Sequence, residues 1–92
     1  MRVIGKPVLE EYPHADARKR LRSWLAAAES ASWRSIVEVR RVYPHADYVK
    51  PFTVFNINGN SYRLITIIDY ARQLIDIERC MTHAEYDKGV WK

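Results

Sequence analysis

A single cysteine, Cys80, occurs in the 92 residues, which excludes an intrachain disulfide and a thiolate-rich zinc site. Glycine is sparse, three in all, and none is spaced as a phosphate-binding loop. There is no GxSxG elbow and no zinc-protease helix. No stretch approaches the roughly 18 uninterrupted apolar residues that a membrane span needs. The first residues, Met1-Arg2-Val3-Ile4-Gly5-Lys6, contain neither an apolar core nor a small-residue cleavage site, so no secretion signal and a cytoplasmic location are expected. Histidine is also scarce. His14 and His45 fall in turns, and zinc needs three or four ligands, so no metal and no cofactor are expected.

What is present is an ordinary apolar share, 48%, in a length that fits one domain spanning residues 1–92. The net charge is +4 and the isoelectric point about 9.4, compatible with a phosphate-rich partner. The positive charge is unevenly placed. Residues 18–41 hold Arg18, Lys19, Arg20, Arg22, Arg34, Arg40 and Arg41 against only Glu29 and Glu38.

Arg2 to Ile4 has the makings of an edge strand ended by Gly5, and Pro7 suits the first turn of a helix, where its missing N–H costs nothing. Asp16 is a candidate N-cap for a second helix. Ala17, Leu21, Trp24, Leu25 and Ala28 then recur on one helical face. Ser32 or Ser35 can cap a third helix carrying Ile36, Val39 and Tyr43, which Pro44 ends. A pentapeptide, Tyr-Pro-His-Ala-Asp, occurs at 12–16 and again at 43–47, too short to be a structural repeat.

The second half changes character. Phe52 to Ile57 is β-branched and aromatic, and Asn58-Gly59 is a hairpin signal, because a type I′ turn needs positive φ at both central positions. Ser61 to Asp69 reads as the return strand, with Tyr62, Leu64, Thr66 and Ile68 on one face and Arg63, Ile65 and Ile67 on the other. After a loop at 70–73, Leu74 to Met81 reads as a third strand with Ile75, Ile77 and Arg79 alternating. Thr82 and Glu85 have capping-box spacing, which predicts one helical turn stopping near Gly89. The expected architecture is α+β, with helices packed on a small antiparallel meander and a short C-terminal helical turn.

That topology gathers Asn56, Asn60, Arg63, His83, Tyr86, Asp87 and Lys88. These side chains suit cleavage of RNA by its own 2′-hydroxyl. The reaction needs a proton taken from that hydroxyl, a proton given to the leaving 5′-oxygen, and charge stabilisation at phosphorus. Arginine matches phosphate oxygens with a planar, always-charged fork, and histidine carries protons near neutrality. Tyr86 can stack on a base or hold a proton, and Lys88 can neutralise phosphate. Each has a plainer role beside it: Arg63 as a cross-strand partner of Asp69, Asp76 or Glu78, His83 as a solvated helix-start residue, Tyr86 as a lid on the core, Asn60 as a turn residue.

Two segments, Val54-Phe55-Asn56-Ile57-Asn58-Gly59-Asn60-Ser61-Tyr62-Arg63-Leu64-Ile65 and Met81-Thr82-His83-Ala84-Glu85-Tyr86-Asp87, resemble the paired signature of HigB-type toxins. The stretch Ser35 to Tyr43 with Pro44 and Asp47 is similar to the region ahead of that family's first hairpin. The likeness spans about residues 33–88, and residues 7–32 share only general character. It implies a RelE-like fold and a ribosome-dependent, metal-independent messenger RNA endoribonuclease. It also implies a HigA-type helix-turn-helix antitoxin as partner, with DNA contacted only through that antitoxin. Carried over by position, it implies Arg63, His83 and Tyr86 as catalytic residues and Asn56, Asn60, Asp87 and Lys88 as RNA contacts. The competing expectation is a noncatalytic RNA- or protein-binding module, or a degenerate toxin, acting through residues 18–41.

Overall fold

The computed structural model describes residues 1–89 and Trp91. The chain runs β1 (Arg2–Ile4), α1 (Pro7–Glu10), α2 (Ala15–Ser30), α3 (Ile36–Val42), β2 (Asp47–Val49), β3 (Phe52–Ile57), β4 (Tyr62–Asp69), β5 (Leu74–Thr82) and α4 (His83–Asp87). One sheet forms, in the order β1-β5-β4-β3-β2. The meander β3-β4-β5 is antiparallel as expected, and β2 adds antiparallel to β3. β1 joins β5 in parallel, so the sheet is mixed, a pairing that strand patterning alone does not specify.

Helical spacing buries the anticipated stripe: Ala17, Leu21, Trp24 and Ala28 of α2 are buried and Leu25 is half-buried. They pack with Val39 of α3 against Phe55, Leu64, Ile75 and Ile77 on one face of the sheet. Phe55 is fully buried at the centre, its ring 5.3 Å from Trp24, 5.4 Å from Tyr43 and 6.3 Å from Trp33. Gly5 is required where the chain leaves β1. Its φ is +86°, and a Cβ there would stand 2.6 Å from the Ile77 carbonyl oxygen.

Several local expectations are corrected. The N-cap of α2 is His14, and Asp16 lies inside the first turn. Its carboxylate accepts the Tyr62 hydroxyl at 2.9 Å and the Asn58 amide at 3.1 Å, pinning the helix layer to the sheet. Ser35 is the N-cap of α3, without a side-chain cap bond. The 58–59 turn has positive φ at both residues, 53° and 65°, but the strands close at Ile57 and Tyr62, giving a four-residue loop that includes Ser61. β2 is an unforeseen strand. It reaches β3 through a cis Lys50-Pro51 bond.

The alternation in β5 also breaks. Ile65 pairs with Arg79 and Thr66 with Ile77, so Glu78 is an extra residue in a β-bulge. Ile75 and Ile77 face the helices, whereas Arg79, paired with Ile65, faces away from them. Beyond the bulge Cys80 packs toward the helical core and Met81 joins Val54, Ile65 and Trp91 in a smaller cluster on the opposite face.

Phe55→Ala should lose about 3–5 kcal/mol in urea unfolding, the usual cost of truncating a core phenylalanine. Val37→Ala on exposed α3 surface should stay within about 0.5 kcal/mol of the wild type.

Candidate active site

The face of the sheet opposite α2 and α3 is where the polar candidates meet. β4 alternation sends Arg63 to this face, opposite Asn56 on β3 and Met81 on β5. The capping box then turns the chain back over the sheet. Thr82 Oγ1 accepts the Glu85 N–H at 3.1 Å, and Glu85 Oε1 accepts the Thr82 N–H at 2.9 Å. The first residue of α4, His83, donates its backbone N–H to the Ser61 carbonyl at 2.9 Å. The β3-β4 turn and the end of β5 are thereby tied together, and the His83 ring comes to rest against Arg63.

The Arg63 guanidinium is the centre of the site and only 8% exposed. Nη1 donates to the carbonyls of Asn60 and Tyr62, each at 3.1 Å. Nη2 donates to Asn60 Oδ1 at 2.6 Å and meets His83 Nδ1 at 3.0 Å. The Tyr86 ring lies 5.6 Å from its central carbon, a cation–π distance. Among the described residues no carboxylate comes within ion-pair distance of it, so pairing with Asp69, Asp76 or Glu78 does not occur. Every group that holds this buried cation is neutral.

That contact also selects one tautomer of a neutral His83 ring. A guanidinium has no lone pair to offer, so Nδ1 must be the acceptor. The ring proton of the neutral imidazole therefore sits on Nε2, which faces Asp87 Oδ2 at 3.2 Å. Asp87, expected among the RNA contacts, stands behind the histidine and orients it. Both side chains are substantially solvent-exposed, 43% and 59%.

Tyr86 is half-buried, with its ring stacked on Trp91 at 4.9 Å while Phe52 meets the same indole edge-on at 5.4 Å. Burial raises the Tyr86 phenol above its ordinary range, Asp47 and Asp87 push the same way, and Arg63 opposes them. The hydroxyl therefore keeps its proton at neutral pH. Its ring is engaged with Arg63 and Trp91, so the residue is a support for the guanidinium more than an open stacking platform. Lys88 is exposed at the end of α4.

The remaining nucleophile is inert: burial pushes the Cys80 thiol up to about 12. No three His, Cys, Asp or Glu side chains converge as a metal site among the described residues. Two further residues border the site and were not singled out from sequence. Trp91 wedges behind Tyr86. His45, read as a solvated turn residue, is exposed but lines an open cleft of about 380 Å³ with Asn56, Gly59 and Asn60. Recognising β2 is the signal that would have found it: Asp47 pairs with Val54, so the chain just before Asp47 runs alongside Asn56.

Residues 17–89 match the family described as HigB toxin, RelE-like toxic component of a toxin-antitoxin system. The chain is 30% identical over 95 residues to a protein of Escherichia coli O6:H1 named mRNA interferase HigB, an alignment covering 96% of this chain and 90% of that protein. It is 35% identical over 52 residues to the mRNA interferase toxin HigB of Escherichia coli K12, covering 53% of this chain and 50% of that one. A Shigella flexneri mRNA interferase HigB matches to the same extent. Among the described residues, no helix is long and apolar enough to cross a membrane.

Nitrogen-detected NMR of the imidazole should find His83 in its Nε2–H tautomer when neutral, and Arg63→Ala should let the two tautomers mix. An Nδ1–H tautomer in the wild type would contradict the hydrogen-bond pattern. A second test follows from Glu85, whose carboxyl is held below its ordinary range mainly by the Thr82 backbone N–H. A depressed folded-state pKa means the cap is at full strength above the ordinary glutamate value and is lost as pH falls through the depressed one. Helical chemical shifts at 83–87 should persist on acidification through the ordinary value of 4.5 and be lost only as pH falls further, through the depressed one. In Thr82→Ala they should already be weakened at neutral pH.

Proposed function

The chain belongs to the HigB family of RelE-like toxins, and from that premise we propose that it cleaves messenger RNA on the ribosome, without a metal, by attack of the RNA's own 2′-hydroxyl. The observation that carries this reading is the buried Arg63 guanidinium, held only by neutral acceptors. A desolvated cation without a counter-ion is costly by itself, and a phosphate diester supplies the missing negative charge with matching geometry. Four of its five N–H donors are engaged, two of them by Asn60 Oδ1 and His83 Nδ1 on exposed side chains that can turn aside for phosphate oxygens.

When phosphate takes those donors, the lone pair of His83 Nδ1 is released beside it. Nδ1 accepts the 2′-hydroxyl proton as the 2′-oxygen attacks phosphorus, while Asp87 holds the Nε2–H and stabilises the imidazolium that forms. The bond from phosphorus to the 5′-oxygen breaks, and the Tyr86 hydroxyl hands its proton to that strongly basic leaving oxygen. Arg63, beside the ring, limits the cost of the transient phenolate. The products are a 2′,3′-cyclic phosphate and a 5′-hydroxyl, and no water or metal enters the bond-breaking step. Asn56, Asn60 and Lys88 contact the RNA around the scissile phosphate. With one histidine in the constellation, the chain relies on the ribosome to position its substrate, a large part of any rate enhancement. Its partner is a HigA-type helix-turn-helix antitoxin, through which alone it meets DNA.

Primer extension on a reporter message in a purified translation system tests the reading, with and without ribosomes. The wild type should cut only when ribosomes are present and with all divalent-metal-dependent nucleases absent. Arg63→Ala and His83→Ala should each lower cleavage at least about 100-fold while keeping the fold and antitoxin binding. Asp87→Asn should lose less, and Tyr86→Phe should separate the hydroxyl from the ring. An intact message with folded, antitoxin-free wild type would sink the enzyme and leave a binding module acting through residues 18–41.

A further inference from the structure

Two open clefts meet at the β3-β4 hairpin. The first, beside the active site, is bounded by His45, Asn56, Gly59 and Asn60. The second, of about 360 Å³, lies between the hairpin and α2, where Arg20 and Ser23 face Tyr43. Asn56 and Gly59 border both, so the two form one groove that crosses the edge of β3 ahead of β2. Each is within the roughly 300–1,000 Å³ of sites that hold a small organic group.

The groove has a cation at each end and no acidic residue along either wall. At one end Asn60 grips Arg63. At the other, exposed Arg20 makes no ion pair or hydrogen bond among the described residues. Its natural neutraliser would be Asp16, one turn earlier on α2. That carboxylate is occupied by the Tyr62 hydroxyl and the Asn58 amide, and the Tyr62 bond holds it below the ordinary aspartate range. Arg20 is thus left without an ion pair at the mouth of a polar trough. Arg18 and Arg22 are placed elsewhere: Arg18 donates to the Tyr12 carbonyl at 2.6 Å, and both line a separate cleft with Leu9 and Leu25.

We propose that the RNA strand flanking the scissile phosphate runs along this groove, and that Arg20 holds the phosphate of a neighbouring nucleotide. The proposal rests on the ribonuclease reading for its centre at Arg63 and adds a subsite on the opposite side of the sheet. The bare backbone of Gly59, with nothing within 4 Å of where a Cβ would stand, lets the strand pass the hairpin tip closely. Asn56, Asn60 and Ser23 offer hydrogen bonds to sugar and phosphate without fixing a base.

Fluorescence anisotropy with labelled, uncleavable 2′-O-methyl RNA tests the groove independently of cutting. The wild type should bind a hexanucleotide several-fold more tightly than a trinucleotide. Arg20→Ala should abolish that difference, Arg20→Lys should restore part of it, and the salt slope should fall by about 0.7, one phosphate contact on a single strand. Lys19→Ala, next to Arg20 but outside the groove, should leave length dependence unchanged. Equal losses from Lys19→Ala and Arg20→Ala, no loss from Arg20→Ala, or no binding of either oligonucleotide by the wild type would each overturn the proposal. Intact RNA affinity with weakened antitoxin capture in Arg20→Glu would assign the groove to the antitoxin instead. Wild type that binds through Arg20 yet leaves a translated message uncut would sink the nuclease and keep the groove.

Discussion

The period-two pleat of β4 divides the labour of the molecule. Leu64 and Thr66 are fully buried beneath the helices, and Tyr62 from the same face reaches Asp16. Arg63 and Ile65 go to the other side, where the smaller cluster of Val54, Met81 and Trp91 is built. A one-residue slip would exchange these sets, placing a guanidinium in the main core and Leu64 in the site. Burial of one face therefore fixes the position of the catalytic candidates on the other. The bulge at Glu78 is part of the same constraint, because it resets the phase of β5 so that Met81 shares the side of Arg63. His83 can approach the guanidinium only because the chain leaves β5 in that phase.

On this face the electrostatics are arranged around one unpaired charge. An exposed arginine–carboxylate pair would be worth little, and a buried one would occupy the fork that a phosphate needs. Neutral acceptors avoid both outcomes: they meet the hydrogen-bonding demand of the guanidinium without cancelling its charge. The nearest acids have other duties. Asp87 is behind His83, Glu85 closes the capping box, and Asp47 lies 3.8 Å from Arg40. The Tyr86 ring lies beside the cation and is backed by Trp91, which Phe52 meets edge-on.

Much of this was legible in the sequence where a local rule acts alone. The stripe on α2, the two faces of β4, the positive φ values at Asn58 and Gly59, and the Thr82–Glu85 box each follow from spacing and side-chain chemistry. The convergence of Arg63, His83 and Tyr86 followed from the expected topology, and the resemblance to HigB-type toxins added a catalytic reading that chemistry alone left beside equally good structural roles. What escaped depends on contacts distant in sequence. Asp16 has the chemistry of an N-cap but is claimed by Tyr62, 46 residues away. The parallel pairing of β1, the short β2 and the bulge at Glu78 have no signature in side-chain alternation. His45 was passed over for the same reason, since only the strand after it brings it beside Asn56.

The Asp16–Tyr62 bond joins these two layers, and it ties architecture to electrostatics. By fastening the N-terminal turn of α2 to the start of β4, it sets α2 beside the hairpin tip, so that the next turn of the helix presents Arg20 to the groove. By engaging the carboxylate oxygens, it also leaves Arg20 without an ion pair among the described residues. The same tyrosine precedes Arg63 in β4 and offers its backbone carbonyl to that guanidinium at 3.1 Å. One residue thus links the two faces, its side chain bonded to Asp16 one turn before Arg20 and its main chain bonded to Arg63. On the proposed reading, the substrate surface is made from the edges of the elements that build the fold, and the hairpin tip is where three of those elements converge.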